Sequence, residues 1–308
     1  MFQVGQITIV GTGLLGGSMG LALRAAGYGG RRVGVGRRAA TVAQAQALGC
    51  IDRGYTDLRA AVASAGVATS QLVVLATPLD RFPAVFAELG AVLHERLYVT
   101  DVGSVKGWVA EEAQKLAPLA GGGARFVGSH PMAGREQQGP AAARADLFRG
   151  RPCVIVPPAP PPEGAAAEAL RVVRALWTAL GCSPILEMDA AEHDRAVARI
   201  SHLPHALAAL LVGAAEGQAD LQLASTGFRD STRVASGDPE MWADVFLANR
   251  AAALTATELF VRDLARFQAL LDQKDRGGLV GLLQASKSRR DQWMAARREH
   301  DAPRDGET

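Results

Sequence analysis

Residues 7–16 constrain the fold more than any other stretch. Ile7-Thr8-Ile9-Val10 is a short apolar run, and Gly11-Thr12-Gly13-Leu14-Leu15-Gly16 follows it directly before a helical stretch, Leu14–Ala26. Three glycines at this spacing, with a strand before and a helix after, suit a loop that wraps a pyrophosphate. Gly11 makes the tight turn, Gly13 lets the backbone approach the phosphates, and Gly16 lets the helix pack on the strand. The helix N-terminus then faces the negative charge. Gly11, Thr12, Gly13, Leu14, Leu15 and Gly16 are therefore the expected dinucleotide contacts. A glycine-rich turn without a ligand is the plainer alternative.

The first half of the chain repeats this strand-then-helix pattern. Strand candidates are Ile7–Gly11, Arg32–Gly36, Leu72–Ala76, Leu97–Asp101, Arg125–Ser129 and Cys153–Pro157, with Ala-rich helical stretches such as Thr41–Leu48 and Val105–Leu116 between them. Several are near-continuous apolar runs, which suits a parallel sheet covered on both faces. The expected fold is a Rossmann-type, doubly wound, mostly parallel α/β sheet. A proline-rich connector, residues 157–162, precedes one more helix (Glu163–Leu180) and one more strand (Pro184–Met188). After Asp189 the pattern is helical: Ala190–Ala215, Pro239–Gln273 and Arg276–Arg298. The expected domains are residues 1–188 for the dinucleotide and 189–308 for substrate and dimerisation. A helix as long as Pro239–Gln273 needs other helices to cover it, and a second subunit is the expected cover.

Composition excludes several classes. The chain has 308 residues and a formal net charge of +2, which gives no case for bulk attraction to nucleic acid or membrane. A basic cluster at Lys287, Arg289, Arg290, Arg297 and Arg298 is broken by Asp291 and Glu299 and reads as a solvated helix face. Cys50, Cys153 and Cys182 lie in or beside apolar stretches and match no zinc or disulfide spacing. Met1-Phe2-Gln3-Val4-Gly5 shows no basic leader, and the apolar run Ala206–Ala215 is too short to span a bilayer. A cytoplasmic location is expected.

The second strand bears on cofactor choice. An NAD site usually places an acid at its end for the ribose hydroxyl. Here Val33-Gly34-Val35-Gly36 runs into Arg37 and Arg38. Guanidinium groups match a 2′-phosphate, so NADP is favoured and NAD remains possible. Thr77 and Asp101, at the ends of two later strand candidates, complete the expected cofactor set.

Candidate chemistry lies at other strand ends. Gly128-Ser129-His130-Pro131-Met132-Ala133-Gly134 puts one histidine in what reads as a glycine-bounded loop after an apolar run, where it could serve as a general base. Ser104, in Asp101-Val102-Gly103-Ser104-Val105-Lys106, comes to the same rim; it could orient a substrate hydroxyl or cap the following helix. Glu192-His193-Asp194 and Ser201-His202-Leu203-Pro204-His205 read as a polar wall, since Pro204 breaks the helical register and no acid completes a metal set. No metal is expected. Gly227–Trp242 is a polar loop carrying Asp230 and Arg233, and arginine there suits bidentate carboxylate binding.

Together, Gly11–Ser18, Asp101–Lys106, Gly128–Gly134, His193-Asp194 with Ser201–His205, and Gly227–Trp242 resemble the prephenate/arogenate dehydrogenase family of tyrosine biosynthesis, in the family's order. The resemblance implies a dimer and an oxidative decarboxylation of a cyclohexadienol with hydride transfer to NAD(P). It implies His130 as the catalytic base, Ser104 as the residue that hydrogen-bonds the ring hydroxyl, and Arg233 as the carboxylate-binding arginine. It places Asp194, Glu136, His205, Asp230 and Trp242 at pocket or gate positions.

Arg135 and His205 suit the dianion prephenate, while Glu136 could serve the ammonium of arogenate. Prephenate is the favoured substrate. A β-hydroxyacid dehydrogenase would want a lysine base in the helical part, and no lysine occurs between Asp189 and Val261. A catalytically silent dinucleotide-sensing dimer is the remaining alternative; His130, Ser104 and Arg233 together argue against it.

Overall fold

A computed structural model describes residues 4–116, 125–135, 137–158, 162–215 and 217–301, with side chains to 297. Glu136 and residues 159–161 of the proline connector lie outside the described residues. The chain forms two compact units, Met1–Ala253 and Leu254–Thr308.

The first unit opens with β1 (Gln6–Val10), α1 (Leu14–Ala25), β2 (Arg31–Val35), α2 (Ala39–Ala47), β3 (Arg53–Tyr55), α3 (Leu58–Ala63) and β4 (Gln71–Leu75). It continues with α4 (Phe82–Gly90), β5 (Leu97–Asp101), α5 (Lys106–Gln114), β6 (Phe126–Pro131), β7 (Cys153–Val156), α6 (Gly164–Ala179) and β8 (Ile185–Glu187). Then come α7 (Ala190–Val197), α8 (Leu203–Gly213), α9 (Gln218–Gln222), α10 (Thr226–Thr232) and α11 (Pro239–Ala248). Helices α12 (Arg250–Asp272) and α13 (Arg276–Asp301) supply the second unit from Leu254 onward.

All eight strands form one sheet in the order β3-β2-β1-β4-β5-β6-β7-β8. Every neighbouring pair is parallel except β6 with β7. Because β1 lies between β2 and β4, the winding reverses there, and a crevice forms beyond the carboxyl ends of these strands. Helices cover both faces, so β1 and β4 are buried at every residue. Strand periodicity sorts β4 cleanly: Val73 and Leu75 join a core with Phe82, Phe86 and Val99, while Leu72 and Val74 join one with Met19 and Trp177. This two-sided burial holds the crevice rim rigid.

Several expectations need correction. Strand β3, Arg-Gly-Tyr, has no apolar run to announce it. His130 is not in a loop; it extends β6 and pairs with Val154 of the antiparallel β7. The helix expected over Pro239–Gln273 is two helices, broken at Asn249. Ala190–Gly213 is a continuous helical run of 24 residues with a π-helical turn at Ala198–His202. Pro204 accounts for that turn: its ring clashes with the carbonyl four residues back and it has no N–H to give. By length and composition alone this run could cross a membrane, contrary to the expectation drawn from Ala206–Ala215. Its His193, Asp194 and His202 are hydrogen-bonded to other parts of the first unit. The compact division lies at 253/254, and Trp242 and Val245 of α11 pack into a core of the sheet.

Candidate active site

The glycine loop takes the shape its spacing demands. Gly11 has φ +105°, and a Cβ there would lie 2.4 Å from the Ala76 carbonyl oxygen. A Cβ on Gly16 would lie 2.0 Å from the Gly11 carbonyl oxygen, so helix and loop touch. Gly13 has nothing within 4 Å of the same position. It is also the N-cap of α1, whose first turn has no side-chain cap and no acid. An uncapped helix N-terminus beneath an open glycine fits a pyrophosphate. The buried Thr77 hydroxyl, beside the loop, has no hydrogen-bond partner among the described residues. Thr12 is buried against β2, and Leu14 and Leu15 are half-buried. Arg37 and Arg38 are exposed just past β2 and make no ion pair among the described residues.

Asp101, expected in the cofactor set, has its side chain engaged within the protein. Its carboxylate is fully buried: one oxygen accepts from the Ser129 backbone N–H at 3.0 Å, and the other from Gly103 N–H at 2.7 Å and from the Lys106 ammonium. Lys106 also donates to the Ser129 carbonyl at 2.8 Å. Burial lowers the Lys106 pKa, against the pull of Asp101. This buried pair ties the end of β5 to β6 directly beneath His130.

His130 stands one residue before the end of β6 and is half-buried. Its Nδ1 lies 2.8 Å from His193 Nε2, and His193 Nδ1 lies 2.7 Å from Asp194 Oδ1. Burial, then the neighbouring His193, Lys106 and His202, push the His130 pKa well below the usual imidazole value. The ring is therefore neutral at neutral pH, as a base must be.

Asp194 does not serve the substrate pocket as expected. Its oxygens accept from the backbone N–H of Lys106 at 2.7 Å and of Gly107 at 2.8 Å, so it caps α5 from 88 residues away. Burial alone would raise its pKa, but His193 and these two N–H groups outweigh it and hold the carboxyl below its ordinary value. Ser104 is thereby released from capping: Val105 is the N-cap of α5, and the half-buried Ser104 hydroxyl makes no hydrogen bond among the described residues.

The helical wall continues from this point. His202 Nδ1 lies 3.2 Å from Asn249 Nδ2, and burial lowers its pKa to about 4. His205 stacks on Trp242 with ring centroids 3.6 Å apart, and its buried Nδ1 has no partner among the described residues. Arg233 starts a 3-10 turn after α10 and is exposed. Arg135 is exposed, and Asp230 is exposed and pairs with Arg229; neither joins the hydrogen-bond network around His130 among the described residues. Sequence reasoning placed His193 only in a polar wall and gave Lys106 and Asn249 no role in the site. The faint signals were a lysine closing the Ser104 motif and a lone asparagine inside an apolar helical pattern.

Residues 19–186 match a family model described as prephenate dehydrogenase, nucleotide-binding domain, and residues 189–285 match prephenate dehydrogenase, dimerization domain. The chain belongs to the prephenate dehydrogenase family. Members are NAD(P)-dependent oxidoreductases of tyrosine biosynthesis. Among curated relatives, the prephenate dehydrogenase of Bacillus subtilis (strain 168) is 32% identical over 292 residues, 92% of this chain and 75% of that protein. The cyclohexadienyl dehydrogenase of Zymomonas mobilis is 31% identical, with 84% of each chain covered. Among solved structures, the A. aeolicus prephenate dehydrogenase in complex with hydroxyphenyl propionate and NAD+ superposes with a TM-score of 0.83 at 30% identity, covering 94% of this chain and 98% of that one. Synechocystis arogenate dehydrogenase gives a TM-score of 0.76 at 32% identity, covering 94% and 99%.

Proposed function

We propose that this family member is a prephenate dehydrogenase, which oxidatively decarboxylates prephenate to 4-hydroxyphenylpyruvate. One observation carries the reading: His130 and a Ser104 hydroxyl with no hydrogen bond among the described residues stand at the carboxyl ends of adjacent strands, beside an open dinucleotide loop. Ser104 holds the ring hydroxyl by a hydrogen bond, and His130 takes its proton. Arg233 pairs with a substrate carboxylate, and His205, backed by Trp242, presents its open nitrogen to the polar end of the substrate. Gly13 and the α1 N-terminus would hold the pyrophosphate of a nicotinamide cofactor, which would supply the hydride acceptor. Loss of the ring carboxylate as CO2 leaves a phenol, and aromatisation drives the reaction. The task of the protein is to hold the base and the ring in line.

NADP is the preferred cofactor in this reading, because Arg37 and Arg38 stand exposed where a 2′-phosphate would lie and no acid takes that place. Prephenate is preferred to arogenate because Arg135 follows the catalytic strand and favours a dianion. Binding duties divide near 188/189, in step with the family models at 19–186 and 189–285. The working form is a cytoplasmic homodimer, supported by the dimerization-domain match and by the exposed apolar side chains Leu254, Val261, Leu264, Val280 and Leu283. The deciding assay follows nicotinamide reduction with purified protein, crossing prephenate or arogenate with NAD or NADP. Highest kcat/KM with prephenate and NADP is expected; a higher value with arogenate overturns the substrate assignment.

A further inference from the structure

We infer that His193 and Asp194 decide which nitrogen of His130 acts as the base, and that His193 receives the positive charge after His130 accepts a proton. The source of that proton rests on the dehydrogenase reading; the arrangement of the rings does not.

The argument is a count of donors along one line. A carboxylate only accepts hydrogen bonds. Asp194 Oδ1 lies 2.7 Å from His193 Nδ1, so that nitrogen carries the hydrogen. A neutral imidazole has one N–H, which makes His193 Nε2 an acceptor. That atom lies 2.8 Å from His130 Nδ1, so His130 donates from Nδ1. The lone pair of His130 is then left on Nε2, the nitrogen not used in this chain. Asp194 stays fixed because two backbone N–H groups of α5 grip its oxygens. One capped helix thus sets two tautomers in series.

The same line carries charge. When His130 Nε2 accepts a proton, the ring becomes a cation facing Lys106 from α5, His193 from α7 and His202 from the π turn. The carboxylate of Asp101 is already paired with Lys106. Among the described residues, Asp194 is the other anion on this line, and it touches His193, not His130. Transfer of the Nδ1 proton of His130 to His193 Nε2 leaves His130 neutral, with its hydrogen now on Nε2. His193 then bears hydrogens on both nitrogens and pairs directly with Asp194. One proton enters at His130 Nε2, one crosses between rings, and no electrons move. His193 is a positioning residue in this scheme and does not touch the substrate.

The first test needs no substrate. Nitrogen-15 NMR of histidine-labelled wild-type protein is expected to show His130 protonated on Nδ1 and bare on Nε2. The opposite tautomer overturns the inference. The second test is Asp194→Asn, which removes the anion that pairs with a cationic His193. A loss in kcat of roughly 10²–10⁴ is expected, with KM changed less than about threefold. A folded variant that keeps its kcat within about threefold overturns the inference; if the variant does not fold, the wild-type spectra decide. Wild-type protein that shows the expected tautomers yet turns over neither prephenate nor arogenate supports the ring arrangement and refutes the dehydrogenase reading.

Discussion

Asn249 donates an amide hydrogen to the Asp194 carbonyl at 2.9 Å and directs its other at His202 Nδ1, 3.2 Å away. The residue that interrupts a long apolar helix is therefore spent on orienting the histidine wall. With Nδ1 accepting, His202 keeps its hydrogen on Nε2 and stays neutral, in line with a pKa lowered to about 4 by burial. The same contact ties α11 to α7.

Gly13→Ala separates folding from cofactor binding. The added methyl meets no atom within 4 Å, so the melting temperature should stay within a few degrees of wild type. It stands where a pyrophosphate would approach, so Kd for NAD(P) should rise at least tenfold, about 1.4 kcal/mol. Calorimetric titration checks this; unchanged affinity removes the phosphate role of the loop.

Arg37→Ala combined with Arg38→Ala tests the 2′-phosphate site. Both side chains are exposed and make no ion pair among the described residues, so stability should barely change. KM for NADP should rise at least tenfold more than KM for NAD. Equal losses sink the argument for NADP.

His130→Asn should lower kcat by roughly 10²–10⁴ while KM for prephenate changes little. In the wild type, the depressed His130 pKa keeps the base active down through pH 6.5, so the acid limb of kcat/KM should lie below that value. An acid limb at 6.5 or higher contradicts the burial argument. Stability follows the same sign. His130, His202 and His205 all have lowered pKa values, so the unfolded chain binds protons below 6.5 that the folded protein refuses. Stability is full above about pH 6.5 and falls toward pH 4. Melting curves across that window check it.

Lys106→Met leaves Asp101 buried without its cation. Such a loss costs about 3–5 kcal/mol. Urea unfolding should show it, and replacing both residues together should cost less than the two single changes added. Additive losses rule out a coupled pair.

The glycine loop was legible in the sequence because its geometry is local: Gly11, Gly13 and Gly16 act within six residues of one another. His130 was legible as a candidate base, but its strand conformation depends on β7, whose pairing no local pattern announces. The capping of α5 was not legible at all. Ser104 looked like the cap by position, yet Asp194 does the capping across 88 residues. Asp101 was legible as a strand end, but its buried pairing with Lys106 was not. Roles set by contacts over tens of residues leave only composition as a trace.

The π-helical turn at Ala198–His202 also decides which way His202 faces. In an uninterrupted α-helix, nine residues at about 100° each would put His202 on the side opposite His193. The additional residue of a π turn subtracts about 100° from that phase, swinging His202 round toward the His193 side. Removing one residue from the turn would take away that phase shift and rotate every later side chain of α8, His205 included, by about 100° relative to His193. A register slip of one residue, with no change in side-chain chemistry, would dismantle half of the wall.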